Sequence, residues 1–413
     1  MTKLEQLIKE LCPNGVEYKK LGEVATISRG GSFQKKDFTE DGVPCIHYGQ
    51  IYTRYGLFTD KTITFISEEV AKKQKYAVKN DIVMAVTSEN IDDVCKCVAW
   101  LGEDNIAVSG HSAIIHHTLN PKYLCYYFHT AMFFAQKVKL AHGTKVIEVS
   151  PAGLADIKIP VPPLEVQAEI VKVLDNFTEL TTELTTELTA RKKQYDYYRE
   201  YLLSFTADAC EWKMFGDLFV VKNGLNKEKE AFGKGKPIIN FTDVYKKRWL
   251  SKDSFTGLVD VTPDEIKRYS AKKGDVFFTR TSETKEDIGM SSTLIEDVPD
   301  CVFSGFVLRA RPTTDLLLPK FCAYYFSTHD VRKQIVKYAA FTTRATTTGD
   351  KLSKIRVPIP SIKEQERIVS ILDRFDKLCN DISEGLPVEI EARRKQYEYY
   401  RDKLLSFKLV NGD

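Results

Sequence analysis

Long apolar runs are absent from this 413-residue sequence: no stretch approaches 18 consecutive apolar residues, so no membrane-spanning helix is expected. The first residues, MTKLEQLIKELCPNG, lack the apolar core and the small-residue cleavage site of a secretory signal. The nine cysteines are odd in number and follow no repeated spacing, which argues against a disulfide framework. A net charge of only +3 excludes a histone-like basic chain. These absences predict a soluble, cytoplasmic protein.

Motifs for cofactor binding are also missing. The sequence has no GxxxxGK[ST] phosphate loop and no GxGxxG dinucleotide loop. Its nearest glycine pair, Gly233 and Gly235, is expected in an ordinary loop. The Asn-Pro-Pro-Tyr string of amino-methyltransferases is absent as well. We therefore expect the chain itself to bind no cofactor.

Two patterns suggest chemistry, and both have simpler interpretations. Cys95 and Cys97 could belong to a metal site, but structural zinc favours paired Cys-x-x-Cys knuckles, and these cysteines alternate as they would in a strand. The histidines that could join them are His111, His116 and His117. The string PDEIK at 263–267 contains the Glu-x-Lys of some nucleases, but Thr262 followed by proline and Glu265 is typical of a helix start. We predict neither a metal site nor a nuclease centre.

An internal repeat organises the chain. The segment ARKKQYDYYREYLLSF at 190–205 recurs as ARRKQYEYYRDKLLSF at 392–407, with 12 of 16 positions identical. The segment IKIPVPPLEVQAEIVKVLDNFTEL at 157–180 recurs as IRVPIPSIKEQERIVSILDRFDKL at 355–378, with 10 of 24 identical. A period near 200 residues is far too long for a solenoid. It predicts one architecture that is built twice in the chain.

Each half ends in a helical segment. Apolar residues follow three- and four-residue steps over about 163–206, which predicts a long amphipathic helix of coiled-coil type. This helix contains the array TELT-TELT-TELT at 178–189, which is either a solvated helix face or a spacer of set length. In the second half, Gly385 and Pro387 predict a break and a restart near Val388.

The globular segments read as mixed strand and helix. Short apolar runs after Lys-Asn-Asp and Lys-Gly-Asp turns, IVMAV at 82–86 and VFFTR at 276–280, predict corresponding strands. The aromatic runs LCYYF at 124–128 and CAYYF at 322–326 predict corresponding helices. Apart from such landmarks, the two globular segments share little sequence.

Charge separates the two kinds of segment. Residues 17–158 have a net charge of +1 and residues 211–356 of +7, whereas the helical segments 159–210 and 357–413 have −4 and −1. A surface for phosphates should be basic, because neutralising phosphates releases their counterions. Near-neutral amphipathic helices suit protein partners instead. The globular segments are therefore the candidates for binding nucleic acid.

This combination resembles the specificity subunit of type I restriction-modification systems. The resemblance is based on the doubled pattern at 159–175 and 357–373, IPxP in the first copy and VPxP in the second followed by QxxIVxxLD, and on the doubled RKQYxYYR and the TELT repeats. It looks most like the subgroup with tetrapeptide repeats in the central helix. The implied fold is α+β, with two similar mixed α/β target-recognition domains, long antiparallel coiled-coil helices and an internal pseudo-two-fold repeat. The implied domain bounds are 1–16 near the C-terminal helices, 17–158 and 210–356 for recognition, and 159–209 and 357–413 for the helical spacers.

The resemblance implies a non-catalytic chain that reads a bipartite target in double-stranded DNA. Its implied protein partners are two modification subunits, which hold S-adenosylmethionine, and restriction subunits, which use ATP and Mg²⁺. For the RKQYxYYR helices we expect the seam to include Tyr195 and Tyr397, while Tyr197 and Tyr399 lie off it and would bind partners. No metal is implied in the chain itself.

Basic and hydroxyl-rich loops are the candidates for contact with DNA. In the first half they are Lys35, Lys36, Tyr48, Gln50, Thr87, Ser88, Thr144 and Lys145. In the second half they are Lys246, Lys247, Arg248, Arg280, Thr281, Ser282, Thr342, Thr343 and Arg344. Phosphate contacts are expected to outnumber base contacts among them. Solvated loop residues are the alternative interpretation of each.

Two other classes of function remain open at this point. A coiled-coil scaffold would bind only protein, and a gel shift against duplex DNA would distinguish it. A self-contained magnesium-dependent nuclease would cleave DNA without partners.

Overall fold

The computed structural model describes residues 2–255, 257–380 and 385–410. It divides into two compact units: unit 1 comprises Met1–Thr185 with Glu389–Asp413, and unit 2 comprises Thr186–Val388. The boundary between Thr185 and Thr186 falls inside one long helix, Leu164–Leu202, because its first half packs on the first globular segment and its second half on the second. Among the described residues no helix is long and apolar enough to cross a membrane.

The helices, in chain order, are α1 (Lys3–Leu11), α2 (Leu21–Val24), α3 (Tyr48–Thr53), α4 (Glu68–Ala71), α5 (Pro121–Tyr127), α6 (Ala131–Leu140), α7 (Pro151–Ala155), α8 (Leu164–Leu202), α9 (Phe215–Leu218), α10 (Phe241–Lys246), α11 (Pro263–Tyr269), α12 (Pro319–Tyr325), α13 (His329–Tyr338), α14 (Gly349–Leu352), α15 (Ile362–Asn380) and α16 (Leu386–Leu404).

The strands of the first half are β1 (Tyr18–Lys20), β2 (Ala25–Arg29), β3 (Phe38–Thr39), β4 (Val43–Ile46), β5 (Phe58–Thr59), β6 (Thr64–Ile66), β7 (Lys75–Ala77), β8 (Ile82–Ala85), β9 (Thr87–Ser88), β10 (Cys97–Trp100), β11 (Ile106–Val108), β12 (Ser112–His117), β13 (Ile147–Glu148) and β14 (Lys158–Pro160). Those of the second half are β15 (Glu211–Met214), β16 (Phe219–Asn223), β17 (Phe232–Ile239), β18 (Trp249–Leu250), β19 (Leu258–Val259), β20 (Val276–Thr279), β21 (Thr281–Ser282), β22 (Ser291–Leu294), β23 (Val302–Phe303), β24 (Val307–Pro312), β25 (Ala340–Phe341), β26 (Ala345–Thr346) and β27 (Arg356–Ile359).

Each unit contains the same five-stranded sheet. The strand order is β2-β12-β8-β10-β5 in unit 1 and β16-β24-β20-β22-β18 in unit 2, with the last pair parallel and the others antiparallel. The predicted apolar runs form the central strands β8 and β20, which are buried along their whole length. A strand buried on both faces reads as a continuous apolar run rather than an alternating one. The two globular segments thus share a topology that their sequences hardly show.

A second sheet differs between the units. It has five strands in unit 1, in the order β3-β6-β4-β11-β7, and three in unit 2, in the order β19-β17-β23. A third, short sheet is formed by β13-β9 in unit 1 and by β21-β26-β25 in unit 2. This short sheet extends the ends of β8 and β20, where most of the predicted binding residues lie.

The predicted aromatic helices are confirmed as α5 and α12, and they form the centre of each core. Tyr123, Tyr126 and Tyr127 of α5 are buried, as are Tyr324 and Tyr325 of α12. Their hydroxyl groups are hydrogen-bonded: Tyr127, for example, donates to the Lys158 carbonyl over 2.8 Å. A buried tyrosine needs such a partner because leaving its hydroxyl unpaired costs free energy.

The doubled QxxIVxxLD motif attaches each globular segment to its helix. The amide oxygen of Gln167 accepts from the Asn120 backbone N–H (2.9 Å), and its amide nitrogen donates to the Pro162 carbonyl (2.7 Å). Gln365 makes the same bonds, from the Leu318 N–H (2.8 Å) and to the Pro360 carbonyl (2.9 Å). Both glutamines are buried.

The aspartate of the same motif is also used twice. Asp175 accepts from the Tyr126 hydroxyl (2.6 Å) and pairs with Lys122 (2.7 Å). In unit 2, Asp373 accepts from the Tyr324 hydroxyl (2.7 Å) and pairs with Lys320 (2.6 Å). The motif is therefore repeated because the same helix-to-core attachment is built twice.

The helices pack antiparallel within each unit. In unit 1 the ring of Phe177 in α8 stacks on Tyr400 in α16, 5.5 Å between centroids. In unit 2 the later part of α8 meets α15, where Tyr198 stacks on Phe375 at 5.6 Å. The 39 residues of α8 make a helix of about 58 Å. The threonines of its TELT array donate to the carbonyl four residues earlier, as Thr181 does to Phe177 (2.9 Å).

Three local predictions are refined by the structure. Helix α15 ends at Asn380 and α16 begins at Leu386, so the predicted break is present; the restart comes two residues before Val388, because proline is tolerated in the first helical turn. The residues between, 381–384, lie outside the described part. Cys95 is not in a strand, since its φ is +68° and β10 begins at Cys97. The N-terminal segment meets the C-terminal one within unit 1, where Val16 pairs with Leu409.

Candidate nucleic-acid interface

Each unit has a short hairpin beside the end of its central strand. In unit 1, His142 and Glu148 exchange backbone hydrogen bonds (3.0 and 2.8 Å), and the predicted residues Thr144 and Lys145 are exposed at the tip. The tight turn requires glycine at 143, which has a φ of +109° and where a Cβ would lie 2.0 Å from the Val146 carbonyl oxygen.

In unit 2 the corresponding hairpin is formed by β25 and β26. Its tip exposes three predicted residues, Thr342, Thr343 and Arg344. Strand β26 pairs with β21, which contains the predicted Thr281 and Ser282, both half-buried. The structure therefore brings together two groups that lie more than 50 residues apart in the sequence. Arg344 forms an exposed ion pair with Glu283 at 3.0 Å, which adds little stability.

Thr87 does not fit its predicted role. It lies at the equivalent position in β9, but its side chain is only 4% exposed. Its hydroxyl oxygen is 3.0 Å from Nδ1 of His111, and the Tyr52 hydroxyl donates to its carbonyl (2.5 Å). Thr87 thus holds His111 rather than facing solvent, because inward and outward positions alternate along a strand. Ser88, the next residue, is half-buried.

Tyr48 lies at the start of α3, between two histidine rings. Its ring is 4.5 Å from His47 and 4.8 Å from His111 between centroids. Burial, together with the positive charge of Lys35, lowers the pKa of His47 to about 4. His47 is therefore neutral, and its Nδ1 accepts the Gly49 N–H (3.2 Å) at the start of the helix. Lys35 and Lys36 are both exposed.

Gln50, a half-buried predicted binding residue, makes hydrogen bonds within the fold. Its Oε1 accepts the His47 backbone N–H (3.0 Å) and its Nε2 donates to the Thr64 hydroxyl (3.1 Å). This is the return half of a capping box at the start of α3. In unit 2, Asp243 makes the same bond to the backbone of Asn240 (2.8 Å) at the start of α10. The amide of Gln50 is thus occupied within the fold.

Arg280 directly follows central strand β20. Its backbone N–H donates to the Phe306 carbonyl (3.1 Å), and its guanidinium donates to the Gly305 carbonyl (3.5 Å). The Thr347 N–H donates to the Arg280 carbonyl (3.1 Å), which connects the residue to the end of the hairpin. Arg280 therefore lies between the turn at 304–306 and the hairpin.

Arg248, another predicted binding residue, lies apart from this group. It pairs with Asp376 of α15 at 3.2 Å and donates to the hydroxyl of Tyr195 in α8. The ring of Tyr324 lies 5.2 Å from its guanidinium carbon. Burial raises the pKa of Tyr195 to about 12 despite this neighbouring charge. A run of three basic residues gives no signal of which one turns inward, and here Lys246 and Lys247 stay exposed while Arg248 joins the helices.

The predicted partner-binding tyrosines lie on helix surfaces. Tyr197 is 65% exposed in unit 2 and Tyr399 is 61% exposed in unit 1. The neighbouring Tyr195 and Tyr397 are buried and half-buried in their own units, as the seam requires. Tyr197 stacks on Tyr201 of the same helix, whereas Tyr399 lies beside Lys403 at 5.7 Å.

No catalytic centre is assembled from the patterns that suggested one. Among the described residues, no group of three or more His, Cys, Asp or Glu side chains could hold a metal ion. The Sγ of Cys97 lies 3.7 Å from that of Cys125 inside the unit 1 core. The Glu-x-Lys string begins α11, where Thr262 and Glu265 form the predicted capping box. The nuclease interpretation thus loses the residues that suggested it.

Sequence reasoning missed three residues at the strand ends. His111 and Phe306 are exposed at equivalent turns, and the Nε of Arg29 donates to the Gly110 carbonyl (2.8 Å) beneath the first of them. The available signal was the Ser-Gly dipeptide that precedes both rings, at 109–110 and 304–305. It is too short to be noticed without the strand pairing around it.

Comparisons with known proteins agree with these features. The family model for the type I restriction modification DNA specificity domain matches residues 13–192 and 210–392. The Escherichia coli EcoR124I/EcoR124II specificity subunit is 36% identical over 267 residues, which are 60% of this chain and 63% of that relative. A Haemophilus influenzae protein, named as a putative type I restriction enzyme specificity subunit, is 35% identical over 306 residues, 70% of this chain and 73% of its own.

Solved structures show the same fold. The HsdS subunit from Thermoanaerobacter tengcongensis has a TM-score of 0.55 at 16% identity, covering 96% of this chain and 97% of that one. A chain from a study of assembly and conformational transition in a type I R-M system has a TM-score of 0.62 at 15% identity, covering 95% and 97%.

Proposed function

Since the chain belongs to the family of type I restriction-modification DNA specificity subunits, we propose that it reads a bipartite DNA sequence, with one half-site bound by each unit. The chain is non-catalytic, as the specificity subunits to which it is similar are. One observation supports DNA reading most: both units place an exposed hairpin and a turn at the end of the same central strand, although their sequences differ there.

Two recognition surfaces of different specificity can share one scaffold if their loop residues differ, and the two units have this arrangement. The common scaffold positions the loops, while the different loop residues present different hydrogen-bonding and apolar groups to the base edges. The net charge of +7 over residues 211–356 supports attraction to phosphates in unit 2. Unit 1 has only +1 over 17–158, so its affinity should depend more on direct contacts and less on salt.

The proposed partners are the subunits that perform the chemistry. Modification subunits would hold S-adenosylmethionine and methylate the target, and restriction subunits would use ATP and Mg²⁺. Two modification subunits would dock on the helices, one near Tyr197 and one near Tyr399, where an aromatic ring lies exposed on a surface of low net charge. The complex would act on DNA in the cytoplasm.

The test of DNA reading is methylome sequencing of a host that contains the chain with its modification subunits. We expect methylation at a sequence of two specified half-sites with an unspecified spacer between them. The chain purified alone should neither bind S-adenosylmethionine nor cleave DNA with Mg²⁺. A protein-only scaffold would give no methylated motif, and a nuclease would cleave without partners; either result would contradict the proposal.

The docking proposal is tested separately with a variant that replaces both exposed tyrosines, Tyr197→Ala and Tyr399→Ala. We expect this variant to fold normally but to co-purify with less modification subunit than the wild type. Lys193→Ala with Lys395→Ala, at another exposed pair of equivalent positions, is the matched control. Full assembly of the tyrosine variant would exclude these rings from the interface.

A further inference from the structure

A three-residue turn at the strand end is built the same way in both units. It contains Ser109-Gly110-His111 in unit 1 and Ser304-Gly305-Phe306 in unit 2. The serine N–H donates to the end of the strand before α3 or α10, to the Ile46 carbonyl (3.1 Å) or the Ile239 carbonyl (3.0 Å). The two turns thus occupy equivalent places in the two copies of the fold.

The glycine of each turn is closely packed against the loop underneath. A Cβ at Gly110 would lie 2.7 Å from the Gly31 carbonyl oxygen, and one at Gly305 would lie 1.9 Å from Oδ1 of Asn226. At Gly110 the close atom belongs to the backbone, so only glycine allows the loop after β2 to support the turn from behind. At Gly305 the close atom is the end of the Asn226 side chain, which an added Cβ would displace. The ring that comes next in the chain is therefore held on a rigid base.

A guanidinium supports the turn in each unit, although it comes from different positions. Nε of Arg29, at the end of β2, donates to the Gly110 carbonyl (2.8 Å), and Nη1 of Arg280, after β20, donates to the Gly305 carbonyl (3.5 Å). The carbonyl of the ring residue accepts a backbone N–H from the residue after the central strand in both, from Val86 (2.9 Å) and Arg280 (3.1 Å). The same geometry is thus reached with different residues, although Arg29 also pairs with Glu148 (2.7 Å), which offsets its charge in unit 1.

The two rings project from these supports into solvent. Phe306 is 68% exposed, the highest value among the large apolar side chains of the described residues, while its neighbours Gly305 and Val307 are buried. An exposed phenyl ring forgoes the stabilisation that burial would give, which leaves its apolar face available to a ligand. His111 is exposed as well, with Nδ1 held 3.0 Å from the Thr87 hydroxyl, which leaves Nε2 to face outward.

We propose that the residue at this turn contacts a base edge in the major groove in each unit, which rests on the proposed function. Phe306 would pack on the 5-methyl group of a thymine, which apolar side chains contact in the major groove. The neighbouring Arg280 would favour the adjacent phosphates. His111 would exchange a hydrogen bond through Nε2 with a base in the other half-site. The two units would therefore read this position through different chemistry.

The test for Phe306 uses the complex reconstituted with its modification subunits and duplexes that carry the methylated motif. Uracil replaces each thymine of the second half-site in turn, which removes only the methyl group. For the wild type we expect one such duplex to bind about tenfold more weakly, comparable to one mismatched base pair. The Phe306→Ala complex should bind that uracil-containing duplex and the original thymine-containing duplex with equal affinity. Phe306→Leu, which keeps an apolar contact, should restore a preference for thymine.

Val220→Ala is the matched control, since it also shortens a largely exposed apolar side chain in unit 2 but away from the turn. It should keep the wild-type preference for thymine. For unit 1, we expect His111→Ala to make one position of the first half-site degenerate in the methylome and to leave the second half-site unchanged.

The outcomes separate this inference from the proposed function. A wild-type complex without any sequence preference would overturn the proposed function itself. A wild-type complex with a bipartite motif whose preferences survive in both Phe306→Ala and His111→Ala would overturn only the role of the turn. A second half-site without any thymine, on either strand, would exclude the methyl contact.

Discussion

His129 is a half-buried histidine that exists in only one of the two copies of the fold. It lies between α5 and α6 in unit 1, where its ring Nδ1 donates to the Cys125 carbonyl (2.8 Å). Burial, with the nearby charges of Arg401, Lys137 and Lys96, lowers its pKa to about 4. The equivalent residue in unit 2 is Ser327, whose hydroxyl donates to the Tyr324 carbonyl (2.7 Å). The two units should therefore respond differently to acid.

Because the pKa of His129 is lower in the folded chain than its ordinary value of 6.5, the unfolded chain binds the proton more tightly. Its contribution to stability is complete above pH 6.5 and is lost as the pH falls toward 4. Between pH 7.5 and 5, we expect the free energy of unfolding of unit 1 to drop by about 2 kcal/mol from this residue.

Hydrogen–deuterium exchange can measure this loss, with peptides from 121–140 compared with those from 319–338. The variant His129→Ser, which copies unit 2, should reduce the acid sensitivity of unit 1. The difference between wild type and variant isolates His129, because His47 and His117, whose pKa values are also lowered to about 4, are present in both. Equal pH dependence of wild type and variant would contradict the prediction.

Arg344 is a predicted DNA-binding residue with little structural restraint, since its ion pair with Glu283 is exposed. Arg344→Ala should weaken DNA binding by about 1–3 kcal/mol if the guanidinium reads a base edge. If it contacts a phosphate, affinity should fall equally for all sequences and the salt slope should decrease by about 1. Binding isotherms at several salt concentrations distinguish the two. No change in either quantity would remove Arg344 from the interface.

At the scale of elements, the attachment of each globular segment to its helix includes one buried glutamine. Gln365→Leu would leave the Leu318 N–H and the Pro360 carbonyl without partners in a buried site. Each unpaired group costs about 1–3 kcal/mol, so we expect a loss of about 3 kcal/mol in the free energy of unfolding of unit 2. Urea denaturation would measure it. Glu366→Leu, on the exposed side of the same helix, is the control and should change stability little.

The sequence predicted these elements well where periodicity or turn chemistry was strong. The long helix, the break near Pro387, the central strands and the helix start at Thr262 are confirmed. Residue roles were harder to predict, because a single sequence does not show which side of a strand or loop faces the core. Thr87, Gln50 and Arg248 were chosen by type, and each is held within the fold. His111 and Phe306 became visible only when strand pairing placed them at equivalent turns.

At the scale of the whole molecule, α8 runs through both units and contains the TELT array. Deleting Thr182–Thr185 shortens this helix by about 6 Å and rotates its C-terminal part by about 40°, so the helix keeps nearly the same face toward its neighbours. We expect the deletion to shorten the unspecified DNA spacer while both half-sites stay the same. Methylome sequencing would show it. An unchanged spacer, or altered half-site bases, would contradict this role.

Deleting Glu183 alone is the control for that experiment. A one-residue deletion rotates the rest of the helix by about 100° and moves the apolar stripe away from its partners. We expect this variant to lose helix packing and to assemble poorly rather than to recognise a shorter target. Limited proteolysis would report the loss of packing directly.

The repeated attachment by glutamine, aspartate, lysine and tyrosine has a consequence for how such a gene can change. The polar contacts of this attachment are the same few side chains in both units, and they lie on the long helices and at a short aromatic helix, beside apolar residues of the same helices that complete each core. A recombination event with breakpoints near residues 17 and 158 could therefore exchange one segment as a block. The new chain would keep its assembly surfaces while it acquired a new half-site, so target preference could change in one step.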